Sequence, residues 1–276
     1  ARDIRFCDPS EAARYRREHD PTVQMMPVEL SQKKCTTDAA DLEREAARIR
    51  DAYARRTTGS CAGLYSFFNR GNLFMLQERE RRVLSILERA GWSSLQAVRI
   101  LDVGCGAGFW IRDLIRWGAD PRHITGVDLL EQRVEEARCL SPEGVAIHCR
   151  NAAALEFPDE SFDLIIQSTV FTSILNRDVQ LLLAREMVRV LRPNGLILWY
   201  DFHMNNPRNP DVRGVTSREI HRLFEGCTIE LSRMTLAPPL TRMLAPFSWF
   251  ACQLFSAVPW LCTHYLGTIR KSVRHE

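Results

Sequence analysis

The stretch ILDVGCGAGFW, residues 100–110, decides the fold. An apolar run ends in Asp102 and Val103, Gly104, Gly106 and Gly108 follow at alternate positions, and Phe109-Trp110 opens a segment of helical character. Three missing side chains let a ligand touch backbone N–H groups at the start of a helix. Asp128 stands 20 residues beyond Gly108, at the end of the next apolar run, where a carboxylate can accept from both hydroxyls of a ribose. The plainer roles of these residues are helix–strand packing for the glycines and helix N-capping for Asp128.

A dinucleotide fingerprint, G-x-G-x-x-G/A laid from Gly104, requires Gly or Ala at position 109, and the chain has Phe109. A carboxylate at Asp102 suits a cationic ligand better than a pyrophosphate, because like charges in a buried site repel. The pattern therefore points away from nicotinamide and flavin enzymes.

Outward from this turn, apolar runs at 98–103, 124–127, 145–149, 162–167 and 196–202 alternate with helical patterns at 109–117, 131–139 and 178–192. That alternation predicts an α/β fold, a doubly wound parallel sheet with helices on both faces and ligands at the carboxyl ends of the strands. Upstream, residues 37–56 are rich in Ala, Glu and Arg behind the capping residues Thr37 and Asp38, so a helix is expected. A second helix is expected over Asn72–Ala90, with Leu73, Leu76, Val83, Leu84 and Leu87 on one face and Gly91 as its stop. The expected organisation is a polar arm over 1–36, helices forming a lid over 37–96, a ligand-binding core over 97–230 and an apolar, basic cap over 231–276.

The motifs DVGCGAG (102–108), GVDLLEQRVEEAR (126–138), FPDESFDLII (157–166) and LRPNG (191–195) stand in an order and spacing that resemble the class I S-adenosylmethionine-dependent methyltransferases. The resemblance covers residues 98–202. The flanks NRGNLFMLQERERR (69–82), RGV (213–215), TLAPPLTR (235–242) and THYLG (263–267) resemble a bacterial branch associated with polysaccharide and natural-product pathways. The family implies a Rossmann-like, mostly parallel seven-stranded sheet with an N-terminal helical lid and a C-terminal helical cap. It also implies S-adenosyl-L-methionine as cofactor and S-adenosyl-L-homocysteine as product.

By the same resemblance, Gly104, Cys105, Gly106 and Gly108 pack backbone against the methionine and ribose portions, with Asp102 near the amino end. Asp128 holds the ribose hydroxyls, and Leu129 lies on the adenine. Asn151 and Ala152 read the adenine amino group from a position where the family often has Asp-Ala. Gln167 and Ser168 line the methionine side. Apart from the resemblance, the aromatic-rich YSFFN (65–69), with Tyr65, is expected to form either part of a lid over the cofactor or a helix-packing hydrophobic cluster.

Transfer to an unactivated hydroxyl needs alignment and a proton acceptor. Asp201 and His203, directly after the fifth apolar run, rank first as bases and His264 third. Structural roles compete: Asp201 as a partner of Arg213, His203 as a solvated loop residue and His264 as a satisfied core histidine. No His/Asp/Glu cluster has metal-ligand spacing, so metal-independent chemistry is expected. The expected reaction is O-methylation of a glycan, lipid-linked sugar or natural-product hydroxyl. Alternatives are C- or N-methylation of a small metabolite and a non-catalytic cofactor-binding accessory protein.

The net charge of +3 lacks the footprint of a dedicated nucleic-acid binder, and QSTVF (167–171) stands where nucleic-acid methyltransferases carry an N-P-P-Y type tetrapeptide. Nucleic acid is therefore not the expected partner. Residues 243–263 run 21 positions without a formal charge, but Pro246, Gln253 and Pro259 argue against a bilayer span. With Arg233, Arg242, Arg270, Lys271 and Arg274 around it, this stretch suits a peripheral membrane contact or an amphiphilic acceptor. Nine scattered cysteines without a C-x-x-C pair indicate a reducing compartment, and no secretory leader pattern opens the chain, so a cytoplasmic location is expected.

Overall fold

A computed structural model describes residues 39–57, 62–206 and 209–272. The expected polar arm and the capping residues Thr37 and Asp38 lie outside the described residues. Two helices, α1 (Ala39–Thr57) and α2 (Arg70–Arg89), precede the sheet. The order then runs β1 (Ile100–Val103), α3 (Phe109–Arg116), β2 (Ile124–Asp128), α4 (Glu131–Leu140), β3 (Ala146–Cys149), β4 (Phe162–Ser168), α5 (Arg177–Val190) and β5 (Leu191–Phe202). The chain ends through α6 (Ser217–Leu223), β6 (Cys227–Leu236), α7 (Pro238–Leu244), α8 (Trp249–Ser256) and β7 (Cys262–Lys271).

The strands form one seven-stranded sheet in the order β3-β2-β1-β4-β5-β7-β6, parallel except for β7, which runs antiparallel to both neighbours. Successive strand residues point to opposite faces, and the core sorts accordingly. Ile100, Ile124, Leu164, Ile166 and Leu198 pack with Val83 and Leu87 of α2, Ile111 and Leu114 of α3 and Val134 of α4. Leu101, Val103, Val127, Ile165, Ile197 and Trp199 pack with Leu183, Ala184 and Met187 of α5 and Ile220 of α6. Helices thus cover both faces, and the side changes between the β1–β3 half and the β4–β5 half, which places the switch point between β1 and β4.

Two details differ from the sequence reading. Leu84 is exposed although Val83 and Leu87 are buried, because a 3.6-residue period puts i and i+4 inward and turns the next residue about 100° away. The 231–276 region supplies strand as well as helix. Its β7 inserts between β5 and β6, pairing Phe202 with His264 and Leu236 with Cys262, while α7 and α8 bridge the two strands at that end. Since β5 is parallel to β4, this bridge emerges at the end of the sheet where the parallel strands terminate. No helix of the described residues is long and apolar enough to cross a membrane.

Candidate cofactor site

The register puts Val103 beside Val127 on one side and Gln167 on the other, so the glycine turn leaves the sheet between the ends of β2 and β4. Gly104 and Cys105 donate to the Val127 carbonyl at 2.8 and 3.0 Å, which folds the turn back over β2. Gly104, Gly106 and Gly108 have φ of 69°, 51° and 74°, the left-handed region that favours glycine. A Cβ on Gly104 would sit 2.4 Å from Val170 Cγ2, whereas one on Gly106 would meet nothing within 4 Å among the described residues. Gly106 is therefore open for a ligand, and Gly104 is needed for packing.

A cavity of about 230 Å³ opens beside this turn. Of the expected residues, Gly104, Gly106, Asp128, Leu129, Asn151, Ala152 and Ser168 line it. The Asp128 carboxylate accepts from the Gly106 N–H through one oxygen and from the Leu130 N–H through the other, each at 2.9 Å. Burial raises the Asp128 carboxyl above its usual range, against the pull of those N–H groups and Arg133. The Asn151 side-chain oxygen accepts from Ala153 at 3.0 Å, so it already shapes its own turn.

Asp102, Cys105, Gly108 and Gln167 stand behind the lining. Asp102 is 1% exposed, with both carboxylate oxygens lacking a hydrogen-bond partner among the described residues. Burial, and then the charge of Asp128, push it up to about 8. Gln167 is fully buried, and its Nε2 likewise has no partner among the described residues. The Cys105 thiol is raised by burial and by the same two carboxylates, which leaves it inert as a nucleophile. An orphaned carboxylate beside an open glycine turn and a ribose-type acceptor fit a cationic nucleoside such as S-adenosylmethionine.

The other expected residues are not brought to this cavity. Tyr65 is 71% exposed in the turn before α2. Asp201 is buried and accepts from Thr172 Oγ1 at 2.7 Å and Thr172 N at 3.2 Å, while Arg213 pairs with Glu219 instead. Burial raises Asp201 to about 7. His264 is 4% exposed and stacks on Tyr200 with ring centroids 4.6 Å apart, and burial and Arg79 lower it to about 3. His203 faces a different cavity, and its Nε2 is 2.9 Å from the Cys262 carbonyl. A carbonyl only accepts, so Nε2 carries the proton and Nδ1 is the basic nitrogen.

Sequence reasoning missed Ile49 and Tyr53 of α1, which line the cavity with Thr169, Val170 and Ser173. The helix is held there by Glu45, which accepts from Leu175 N at 2.6 Å, and by Arg48, which donates to the Ser173 carbonyl. Only the amphipathic pattern of α1 hinted at this, and a pattern does not say against what a helix packs. Thr169 is a non-glycine residue at φ 59°, a local strain of the kind that collects at functional sites.

Residues 100–195 match the methyltransferase domain family. The tRNA N(3)-cytidine methyltransferase METTL2 of Gallus gallus is 32% identical over 121 residues, which are 40% of this chain and 31% of that protein. The 2-methyl-6-phytyl-1,4-hydroquinone methyltransferase of Synechocystis sp. is 31% identical over 126 residues, 43% of this chain and 38% of the relative. The aligned region thus spans about a third of the length of these relatives. An S-adenosylmethionine dependent methyltransferase from Mesorhizobium loti superposes with a TM-score of 0.51 at 19% identity, over 66% of this chain and 95% of that one, a likeness of fold. The glycine turn and the strand order agree with that match, so residues 100–195 form a methyltransferase domain of the kind their motifs resemble, the class I S-adenosylmethionine-dependent methyltransferases.

Proposed function

We propose that the protein transfers the methyl group of S-adenosylmethionine to a hydroxyl of a glycan, lipid-linked sugar or natural product. The observation that carries the cofactor half of this reading is the orphaned Asp102 carboxylate behind the open Gly106 turn, with Asp128 at the cavity wall. When bound, S-adenosylmethionine supplies a methyl group already activated on a sulfonium. The chain's part is to seat the nucleoside on Gly104, Gly106 and Asp128, to cover it with Ile49 and Tyr53, and to accept a proton from the hydroxyl.

His203 is the expected base that best supports this role. It lines a cavity, and burial lowers its ring below the usual range, so Nδ1 is free of a proton near neutral pH. Incubating the protein with methyl-labelled S-adenosylmethionine and fractionated source-cell extract tests the proposal. Label in a glycan, lipid or small-molecule fraction supports it, whereas label in RNA, or cofactor binding with no label in any fraction, sinks it.

A membrane-associated acceptor is favoured by a specific surface. Phe67, Phe68, Phe247, Phe250 and Trp260 are exposed by 61%, 99%, 88%, 79% and 78%. Arg70 donates to the Pro246 carbonyl at 2.7 Å, bringing Phe68 and Phe247 to one end of α2. Residues 62–77 and 237–263 contain no acidic residue. Exposed aromatics beside basic charge suit contact with an anionic bilayer on the cytoplasmic side.

A further inference from the structure

A second cavity, of about 340 Å³, shares no lining residue with the glycine cavity. Arg177, Arg213, Arg218 and Arg222 surround it, with Glu219 the one acidic side chain among the described residues that line it and His203 in its wall. Its volume falls within the range of small-molecule sites, roughly 300–1,000 Å³. It adjoins the cofactor site through backbone: Arg213 N donates to the Thr172 carbonyl at 2.9 Å, and the next residue, Ser173, lines the glycine cavity.

The charge in this cavity exceeds what the fold requires. Glu219 closes the capping box at Thr216 and accepts from Arg177 and, at 2.8 Å, from Arg213. These contacts outweigh its burial and hold its carboxyl at about 2. One carboxylate thus answers two guanidiniums. Arg218 and Arg222 are exposed and have no carboxylate partner among the described residues, and they stand four apart on α6, a like-charge spacing that disfavours a helix. Arg213 Nη2 is buried without a hydrogen-bond partner among the described residues.

We propose that this cavity is the acceptor subsite and that it binds a phosphoryl group, preferentially a diphosphate, carried by the molecule to be methylated. Four guanidiniums against one carboxylate leave an excess of three positive charges, too much for a single ligand carboxylate and well matched to an esterified diphosphate. Guanidinium forks also pair with phosphoryl oxygens in bidentate fashion. Held there, the acceptor meets His203 in the same wall, in a cavity that adjoins the cofactor site through backbone. The inference deepens the methyltransferase reading and rests on it.

The test is calorimetric titration of the full chain with inorganic pyrophosphate, with a simple alkyl diphosphate and with bulk tRNA, at matched ionic strength. The wild type is compared with the double variant Arg218→Gln/Arg222→Gln, whose side chains have no carboxylate partner to lose among the described residues. Saturable binding of both diphosphates, weakened about tenfold or more in the variant, is expected from the loss of charge-assisted hydrogen bonds. No saturable binding, or equal binding by the variant, overturns the proposal. Binding of pyrophosphate with exclusion of the alkyl diphosphate marks a free-anion site and overturns the acceptor assignment. Tighter binding of tRNA than of either diphosphate, lost in the same variant, replaces the proposal with a nucleic-acid surface. S-adenosylhomocysteine is titrated into the same samples and is expected to bind both proteins alike. If it binds neither, the methyltransferase reading fails while the anion result stands by itself.

Discussion

The Gly106 N–H donates to one carboxylate oxygen of Asp128 at 2.9 Å, so the middle of the glycine turn is tied to the end of the neighbouring strand. The other oxygen takes the Leu130 N–H, and the carboxylate therefore shapes the cavity as well as facing it. Asp128→Ala is expected to weaken S-adenosylhomocysteine binding by about 30- to 100-fold, the scale of one or two lost charged hydrogen bonds. Calorimetric titration measures this, and affinity within threefold of wild type removes Asp128 from the site.

The two glycines that line the cavity separate packing from access. Gly104→Ala forces a Cβ to 2.4 Å from Val170 Cγ2 at positive φ, and overpacking of this kind costs about 1–3 kcal/mol of stability. Gly106→Ala meets open space, so its stability cost is the backbone strain alone, about 1–2 kcal/mol, while its methyl intrudes on the ligand. Thermal melts with and without S-adenosylhomocysteine check the contrast. Gly106→Ala is expected to melt above Gly104→Ala when free and to gain less from ligand than wild type.

The Asp102 carboxyl is raised to about 8 from an unfolded value near 4, so the folded state prefers its protonated form. Its stabilising contribution is complete below about pH 4 and is lost as pH rises through about 8. The ligand-free protein is expected to lose melting temperature between about pH 5 and 8, and Asp102→Asn to flatten that slope. Affinity for the cationic S-adenosylmethionine is expected to rise over the same interval, since ionised Asp102 attracts the ligand. Parallel pH profiles for variant and wild type count against the assignment.

Asp201 and His203 are two positions apart and are expected to fail differently. Asp201→Ala leaves the Thr172 N–H and hydroxyl unpaired in the interior, at a cost of about 1–3 kcal/mol for each buried group. Its turnover per folded molecule is expected to stay near wild type. His203→Gln is expected to keep the melting temperature and to lose about 10²- to 10⁴-fold in turnover, the usual contribution of a general base. The reverse pattern would transfer the role to Asp201.

For the aromatic surface, co-sedimentation with vesicles is the direct measurement. Wild type is expected to pellet with vesicles rich in anionic lipid and to stay in the supernatant with neutral ones. Phe250→Ser/Trp260→Ser, at positions 79% and 78% exposed, is expected to lose pelleting with an unchanged melting temperature. Equal pelleting of variant and wild type rules out membrane contact through these residues.

Several parts of the molecule were legible because their signals are local. The run ILDV, three alternate glycines and a carboxylate 20 residues on describe a strand, a turn that needs positive φ and the end of the next strand. Five strands and three helices of the core followed from apolar runs and periodicity, since a strand buried on both faces is apolar throughout. Seven of the expected cofactor residues line the cavity for the same reason, because strand ends are fixed by local pattern.

What only the tertiary structure decided involves residues far apart in the chain. The insertion of β7 between β5 and β6 depends on register with strands that end some 60 and 26 residues earlier, and no local pattern encodes that pairing. It buries His264 and Asp201 beside the strand seam and leaves His203 at a cavity. The cover over the glycine turn comes from α1, clamped through Glu45 to residues 175 and 176 about 130 positions away. The arginine cavity likewise joins Arg177 at the start of α5 to Arg218 and Arg222 on α6. Charges scattered along a sequence become a site only when long-range packing removes the distance between them.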